Sequence, residues 1–236
     1  MEEFMTASFW LAVGQIIMID ILLGGDNAVV IALACRNLPP KQRTQGIIYG
    51  TIGAIVLRVI LIAFALALLA IPYLKIVGAV LLIWIGVTLL QPEGDDAHNI
   101  SSSDKLWGAV KTVIIADLVM SVDNVLAIAG AAQGAHQDHQ LALVIFGLLV
   151  SIPIIVWGST MVLKLMGRFP VIITAGAMLI GWIAGQMAYS DPAIKPYLPD
   201  SSWWGYAASA AGALLVYVVG TFLTRRQHKK ESSSTV

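Results

Sequence analysis

Four aspartates stand inside apolar stretches of this chain: Asp20, Asp26, Asp117 and Asp123. A carboxylate at the centre of a membrane helix costs roughly 2.5 to 3.5 kcal/mol to insert, so four of them call for a function. One explanation is purely local, with the aspartates capping broken helices or pairing with Arg58. Arg58 can offset only one of the four, which leaves a formal charge of about −3 to be met by bound protons, a bound cation or both. Asparagine follows two of the aspartates, as Asp26-Asn27 and Asp123-Asn124. Asp20 and Asn27 are seven residues apart and share one helical face. Asp26 points away from Asp20 on a regular helix, but Gly24-Gly25 just before it favour a kink or an unwound turn. Such a break lets both carboxylates face one cavity. In the second set Ser121-Val122 stand where the glycines stood. Carboxylates and amides together make an all-oxygen donor set, which suits hard divalent ions such as Mg²⁺, Ca²⁺ or Mn²⁺. His98, His136, His139 and His228 fall in loops or the tail, and Cys35 lies near a helix end. Zn²⁺ and Cu⁺, which favour imidazole or thiolate, fit less well.

These side chains need a membrane bundle to position them. Of 236 residues, 58% are hydrophobic and 12% are charged, and the mean hydropathy is +0.83. That charged share is about half of what a soluble domain carries, which excludes a solvated enzyme and a disordered chain. Fourteen basic and fourteen acidic residues balance, so bulk charge cannot hold nucleic acid. Seven windows approach the ~20 apolar residues that a membrane helix needs: 8–35, 46–71, 73–91, 107–132, 140–164, 169–189 and 203–224. Their backbone polar groups must be satisfied internally, so each is read as a helix. Glycines within them, among them Gly46, Gly50, Gly53, Gly78, Gly86, Gly176, Gly181 and Gly185, let helices approach closely. Eleven Lys and Arg residues fall on the side of the C-terminus, against Lys75 and Lys195 on the other. The positive-inside rule then puts the N-terminus outside and the C-terminus in the cytoplasm. Glu2 and Glu3 replace the basic start of a cleavable signal, so the first span is expected to be retained. Residues 225–236 are expected to be a short disordered cytoplasmic tail.

The chain also repeats itself. Residues 20–34 read DILLGGDNAVVIALA and residues 117–131 read DLVMSVDNVLAIAGA, with six of fifteen positions identical at an offset of 97. The same offset relates IIYG at 47–50 to VIFG at 144–147. Gly78-Ala79, Leu81 and Trp84-Ile85 return as Gly176-Ala177, Leu179 and Trp182-Ile183 at an offset of 98. A unit of three spans is odd, so its second copy crosses the bilayer upside down. The expected fold is therefore an all-α polytopic bundle of seven transmembrane helices in one domain over 1–224. It consists of a 3+3 inverted repeat (8–91 and 107–189) plus a seventh helix at 203–224. Inverted repeats are a transporter architecture, with the site at the midplane where the copies meet.

The two Asp-Asn elements, with GGDNAVVIA in one and SVDNVLAIA in the other, resemble the TerC family of integral membrane proteins, within the wider LysE-type transporter superfamily. In its short form, without soluble domains, the chain looks most like the YjbE-type subgroup. The resemblance covers roughly residues 8–224. It implies that Asp20, Asp26, Asn27, Asp117, Asp123 and Asn124 bind a transported ion, that the ion is Mn²⁺, and that transport is efflux across the bacterial cytoplasmic (inner) membrane. Gly24, Gly25, Ser121 and Arg58 are then flanking or gating positions. The expected partners are the lipid bilayer and the divalent ion, with no prosthetic group, no enzymatic activity and no nucleic acid. The oligomeric state is not readable from the sequence. Three other classes compete, one of them a non-transporting membrane partner for secreted metalloproteins. A proton-coupled exporter of a basic amino acid would use the same carboxylates, with aromatic groups such as Trp84 and Trp182 lining the site. An intramembrane aspartyl protease needs only two aspartates, and Gly24-Gly25-Asp26 is a partial echo of its Gly-x-Gly-Asp element.

Overall fold

The computed structural model describes residues 14, 17–18, 25–64, 71–91, 101–132, 140–199 and 201–234. For 63, 102, 123–132, 140–144, 202 and 228–234 it describes the backbone alone. Asp20 and Gly24 lie outside these residues, and so do the side chains of Asp123 and Asn124. The described residues form seven α-helices and no strand: α1 (Gly25–Cys35), α2 (Pro40–Ala63), α3 (Leu74–Leu90), α4 (Ser102–Ala132), α5 (Gln140–Arg168), α6 (Val171–Tyr189) and α7 (Ser202–Ser234).

Four stretches are each long and apolar enough to cross a membrane: Pro40–Ile62, Ile145–Arg168, Val171–Tyr189 and Trp203–Gln227. The described part of α1, and α3, are shorter apolar helices. At 31 residues, α4 runs for about 46 Å, longer than a hydrocarbon core, and it carries Asp117 within it.

Helix α2 shows why the bundle belongs in lipid. Pro40 starts it, with its φ preset for a first turn. One face presents Gly46, Gly50 and Gly53 to its neighbours. A Cβ added at Gly50 would stand 2.9 Å from Val113 of α4, and one at Gly53 would stand 2.5 Å from Ile114. Spaced four apart on another face, Ile48, Ile52, Val56 and Ile60 are exposed. Exposed apolar stripes recur on α3 (Val77, Val80, Trp84) and α7 (Leu214, Val218, Phe222). The charged Arg58 is buried on the same helix as an exposed isoleucine stripe. A chain that turns apolar faces outward and buries its charges has hydrocarbon for a solvent.

The main core joins α1, α3, α4 and α6, through Leu33, Leu82, Ala116, Val119 and Ile180 among others. Helix α2 packs mainly on α4, and α3 packs on α6. The repeat-matched glycines occupy comparable seams. A Cβ at Gly78 of α3 would meet Val119 of α4, and one at Gly176 of α6 would meet Val29 and Leu33 of α1. Helices α6 and α7 touch through backbone: a Cβ at Gly185 would meet the carbonyl oxygen of Ala208, and one at Gly181 that of Gly212.

Several boundaries differ from the sequence reading: α2 starts at Pro40 rather than 46, where Pro40 sets the first turn, and α5 ends at Arg168 rather than 164. Helix α4 starts at Ser102 rather than 107, because Ser101 and Asp104 cap its first turn. Asp104 N–H donates to Ser101 Oγ at 3.2 Å, and Ser101 Oγ donates to the Asp104 carboxylate at 2.8 Å. It then continues through Ser121-Val122 without interruption, so no unwound turn matches the one expected at Gly24-Gly25. Gly25 itself opens the described part of α1. Helix α7 runs to Ser234, so residues 225–234, expected as a disordered tail, are helical. Arg225, Arg226, Gln227, Lys229 and Lys230 are good helix formers that extend a helix already nucleated.

Candidate ion-binding site

Of the residues read as ligands, the structure describes the side chains of Asp26, Asn27 and Asp117. Helices α2 and α4 position the centre of the site. Arg58 projects from α2, and Asp117 and Ser121, four residues apart, share a face of α4. Arg58 Nη2 stands 2.5 Å from Asp117 Oδ1. Arg58 Nε donates to Ser121 Oγ at 3.0 Å, and Ser121 Oγ donates to Asp117 Oδ2 at 3.0 Å. The three groups form a closed ring. They are 2%, 0% and 6% exposed for Arg58, Ser121 and Asp117. Among the described residues, Arg58 thus pairs with Asp117. Ser121 supplies the link between them.

Across from this ring stands α1. Asn27 is 4% exposed, and among the described residues neither its amide nitrogen nor its amide oxygen has a hydrogen-bond partner. Such an orphaned pair is unusual, since a buried amide without partners carries its full desolvation cost. Asn27, Asp117 and Met120 line one cavity of about 10 Å³, with Val30, Ile31 and Val113 completing the wall. That is room for about one water. Asp26 is half-buried at the start of α1, and its Oδ1 accepts the Asn27 backbone N–H at 2.8 Å. It lies near enough to interact electrostatically with Arg58 and Asp117. The structure therefore brings Asp26, Asn27, Arg58, Asp117 and Ser121 into one neighbourhood. Among the described residues, no three acidic, histidine or cysteine side chains gather into a metal-binding group; Asp20 and the side chain of Asp123 stand outside that set.

Two residues were missed by sequence reasoning. Thr51, 1% exposed, has a hydroxyl with no partner among the described residues. It lies seven residues before Arg58, on the same face of α2, and that spacing was the available signal. Asp191, 0% exposed, sits just past α6 and accepts backbone N–H groups from Tyr73 (3.3 Å), Lys75 (3.1 Å), Ile76 (3.3 Å) and Ala193 (2.8 Å). It caps α3 from a remote part of the chain. The two matched tryptophans are elsewhere. Trp84 is exposed, and the Trp182 ring tilts against Tyr206 at 6.4 Å. Cys35 is buried against α2, where a Cβ at Gly46 would approach its sulfur.

Apolar helices with lipid-type outer faces, closed around a buried ion pair and an unsatisfied amide, define an integral membrane protein with a polar centre. The chain belongs to the TerC family of integral membrane proteins, whose family profile matches residues 5–228. It is 44% identical over 183 residues to the uncharacterized membrane protein YjbE of Bacillus subtilis, covering 78% of this chain and 81% of that one. It is 25% identical to the uncharacterized membrane protein YkoY of the same organism, over 98% of this chain and 78% of that one. With YegH of Escherichia coli it shares 23% identity over 99% of its own length, which spans 47% of that longer protein. No solved structure matches the chain.

Proposed function

We propose that this protein is a transporter of the bacterial cytoplasmic membrane that exports a divalent metal cation, Mn²⁺, through a site at the interface of two inverted three-helix repeats. The observation that carries the reading is the Asn27 amide, buried and unpaired on a cavity wall that it shares with Asp117. An amide oxygen with no donor beside a buried carboxylate is the beginning of an oxygen coordination shell. Asp20, Asp26, Asp117, Asp123, Asn27 and Asn124 are the proposed ligands, and the ion is cargo rather than a resident cofactor. The choice of Mn²⁺ and of efflux rests on the family resemblance.

Helix pairing supports the repeat. Gly78 and Gly176, equivalent by the internal offset, each seat on the first helix of the opposite half, α4 and α1. The proposed orientation, N-terminus outside, rests on the excess of Lys and Arg on the C-terminal side. Metal enters from the cytoplasm and displaces protons from the carboxylates. One repeat then rocks against the other, and protons from outside release the ion. No enzymatic step is proposed. Exposed Trp84, and Trp182 packed against Tyr206, give no support to an aromatic lining of the kind a basic amino acid as cargo would favour.

Cellular metal content provides the test. Overproduction should lower total Mn in cells loaded with Mn²⁺ and raise their tolerance, while Asp26→Asn and Asp123→Asn should abolish both without loss of protein from the membrane. Unchanged Mn content on overproduction, or full tolerance in both variants, overturns the reading. Efflux of lysine or arginine in place of Mn would transfer the same site to the amino-acid class.

A further inference from the structure

We propose that Arg58 is a tethered counter-ion that occupies Asp117 while the site is empty, and that a divalent cation binding beside Asn27 must displace it. This rests on the ion-binding role proposed above and adds a competitor to it.

The geometry is uneven in an informative way. The neutral ligand, Asn27, is open: both polar atoms of its amide lack partners among the described residues although the residue is buried. The charged ligand, Asp117, is taken: Oδ1 holds the Arg58 guanidinium at 2.5 Å and Oδ2 holds the Ser121 hydroxyl at 3.0 Å. Both side chains line the same cavity. A water-sized space of about 10 Å³ cannot admit an ion with much of its hydration shell, so something must move for a cation to enter. Arg58 is a long side chain whose bonds to Asp117 and Ser121 are made to side chains, so those two bonds can be broken without disturbing backbone hydrogen bonds. Charge points the same way. A guanidinium and a doubly charged ion cannot both sit on one carboxylate in a low-dielectric centre without strong repulsion. Asp26 lies within electrostatic range of Arg58 and offers a second acid to share as the pair opens. Arg58 thus offsets the charge of Asp117 while the site is empty, and it makes release of the cation favourable by returning to Asp117.

Mn²⁺ binding to the purified full-length protein in lipid nanodiscs, measured by isothermal titration, tests the competition. Proteoliposome transport gives a second readout. Removing the competitor by Arg58→Met should tighten Mn²⁺ binding about tenfold or more, because opposite charges at such distances interact strongly even at intermediate dielectric. Transport should slow at the same time, because the ion is released poorly. Ser121→Ala leaves every charge in place but loosens the ring, and should tighten binding a few-fold. Arg58→Lys, a charge without the bidentate fork, should fall between wild type and Arg58→Met. If Arg58→Met does not fold, the other two variants carry the test. Affinity unchanged or weaker in the folded variants, with wild type still binding Mn²⁺, assigns Arg58 a structural role and overturns this inference alone. No Mn²⁺ binding by wild type or any variant overturns the ion-binding reading itself and takes the counter-ion with it.

Discussion

Asp117 and Asp191 are both buried carboxylates, yet they are held in opposite ways. Asp191 accepts four backbone N–H groups, three of them around the start of α3. Asp117 is held by the side chains of Arg58 and Ser121. The contrast extends to the surrounding helices. Helices α6 and α7 meet backbone to backbone, at Gly185 against Ala208 and Gly181 against Gly212. Helices α2 and α4 meet through side chains, with Gly50 and Gly53 facing Val113 and Ile114. Backbone donors can leave only if a helix end unravels, whereas side-chain donors leave by rotation. One region is a fastening and the other is a place where partners can be exchanged.

Rescue offers the sharpest way to break this comparison. Arg58→Met strands the Asp117 carboxylate in the core and should destabilise the protein by about 3 to 5 kcal/mol. Adding Asp117→Asn removes the stranded charge and should recover most of that loss, as read from unfolding in mild detergent. Asp191→Ala should cost about 3 kcal/mol, since it leaves several backbone donors of α3 without an acceptor. No second side-chain substitution can restore it, because its partners are the backbone itself. Recovery of Asp191→Ala by a neighbouring change, or failure of the Arg58→Met/Asp117→Asn pair to recover, would erase the distinction.

The helix seams give a smaller contrast. Gly185→Ala drives a methyl into the Ala208 carbonyl and should cost about 1 to 3 kcal/mol, the range for overpacking against something that cannot rotate. Gly53→Ala meets the end of the Ile114 side chain at 2.5 Å, which can take another rotamer at a cost of about 1 kcal/mol. Thermal unfolding of the two variants side by side checks the order. Equal losses would mean that α2 and α4 are as rigidly joined as α6 and α7.

The same contrast explains what was legible in the sequence. Helices whose ends coincide with apolar windows were readable almost to the residue: 73–91 against Leu74–Leu90, and 169–189 against Val171–Tyr189. The starting point of α4 depended on a serine cap rather than on hydropathy, and the extension of α7 on polar helix formers beyond the apolar span. In the centre, the need for Arg58 to pair with an aspartate followed from charge alone. Which aspartate it chose depended on the register of α2 against α4, which no pattern within either helix encodes. Asp191 was invisible for a deeper reason. Three of its four partners are backbone groups more than a hundred positions earlier, and backbone donors leave no trace in residue type.

Tyr73 supplies the finest test of the fastening. It is the non-glycine residue with positive φ among the described residues, at φ 64°, and its N–H donates to Asp191 at 3.3 Å. A left-handed conformation costs an ordinary residue about 1 to 2 kcal/mol, and something must hold it there; the four-donor grip of Asp191 is the available restraint. Tyr73 is 57% exposed, so loss of its side chain removes little packing. Tyr73→Gly should therefore raise stability by about 0.5 to 1 kcal/mol, the relief of strain less the extra freedom of glycine in the unfolded chain. The gain should depend on Asp191. In an Asp191→Ala background the turn is free to relax and the glycine should bring no benefit, so the two substitutions should be non-additive by about the size of the gain. Equal stabilisation in both backgrounds would show that the turn holds itself and that Asp191 merely fills its concavity.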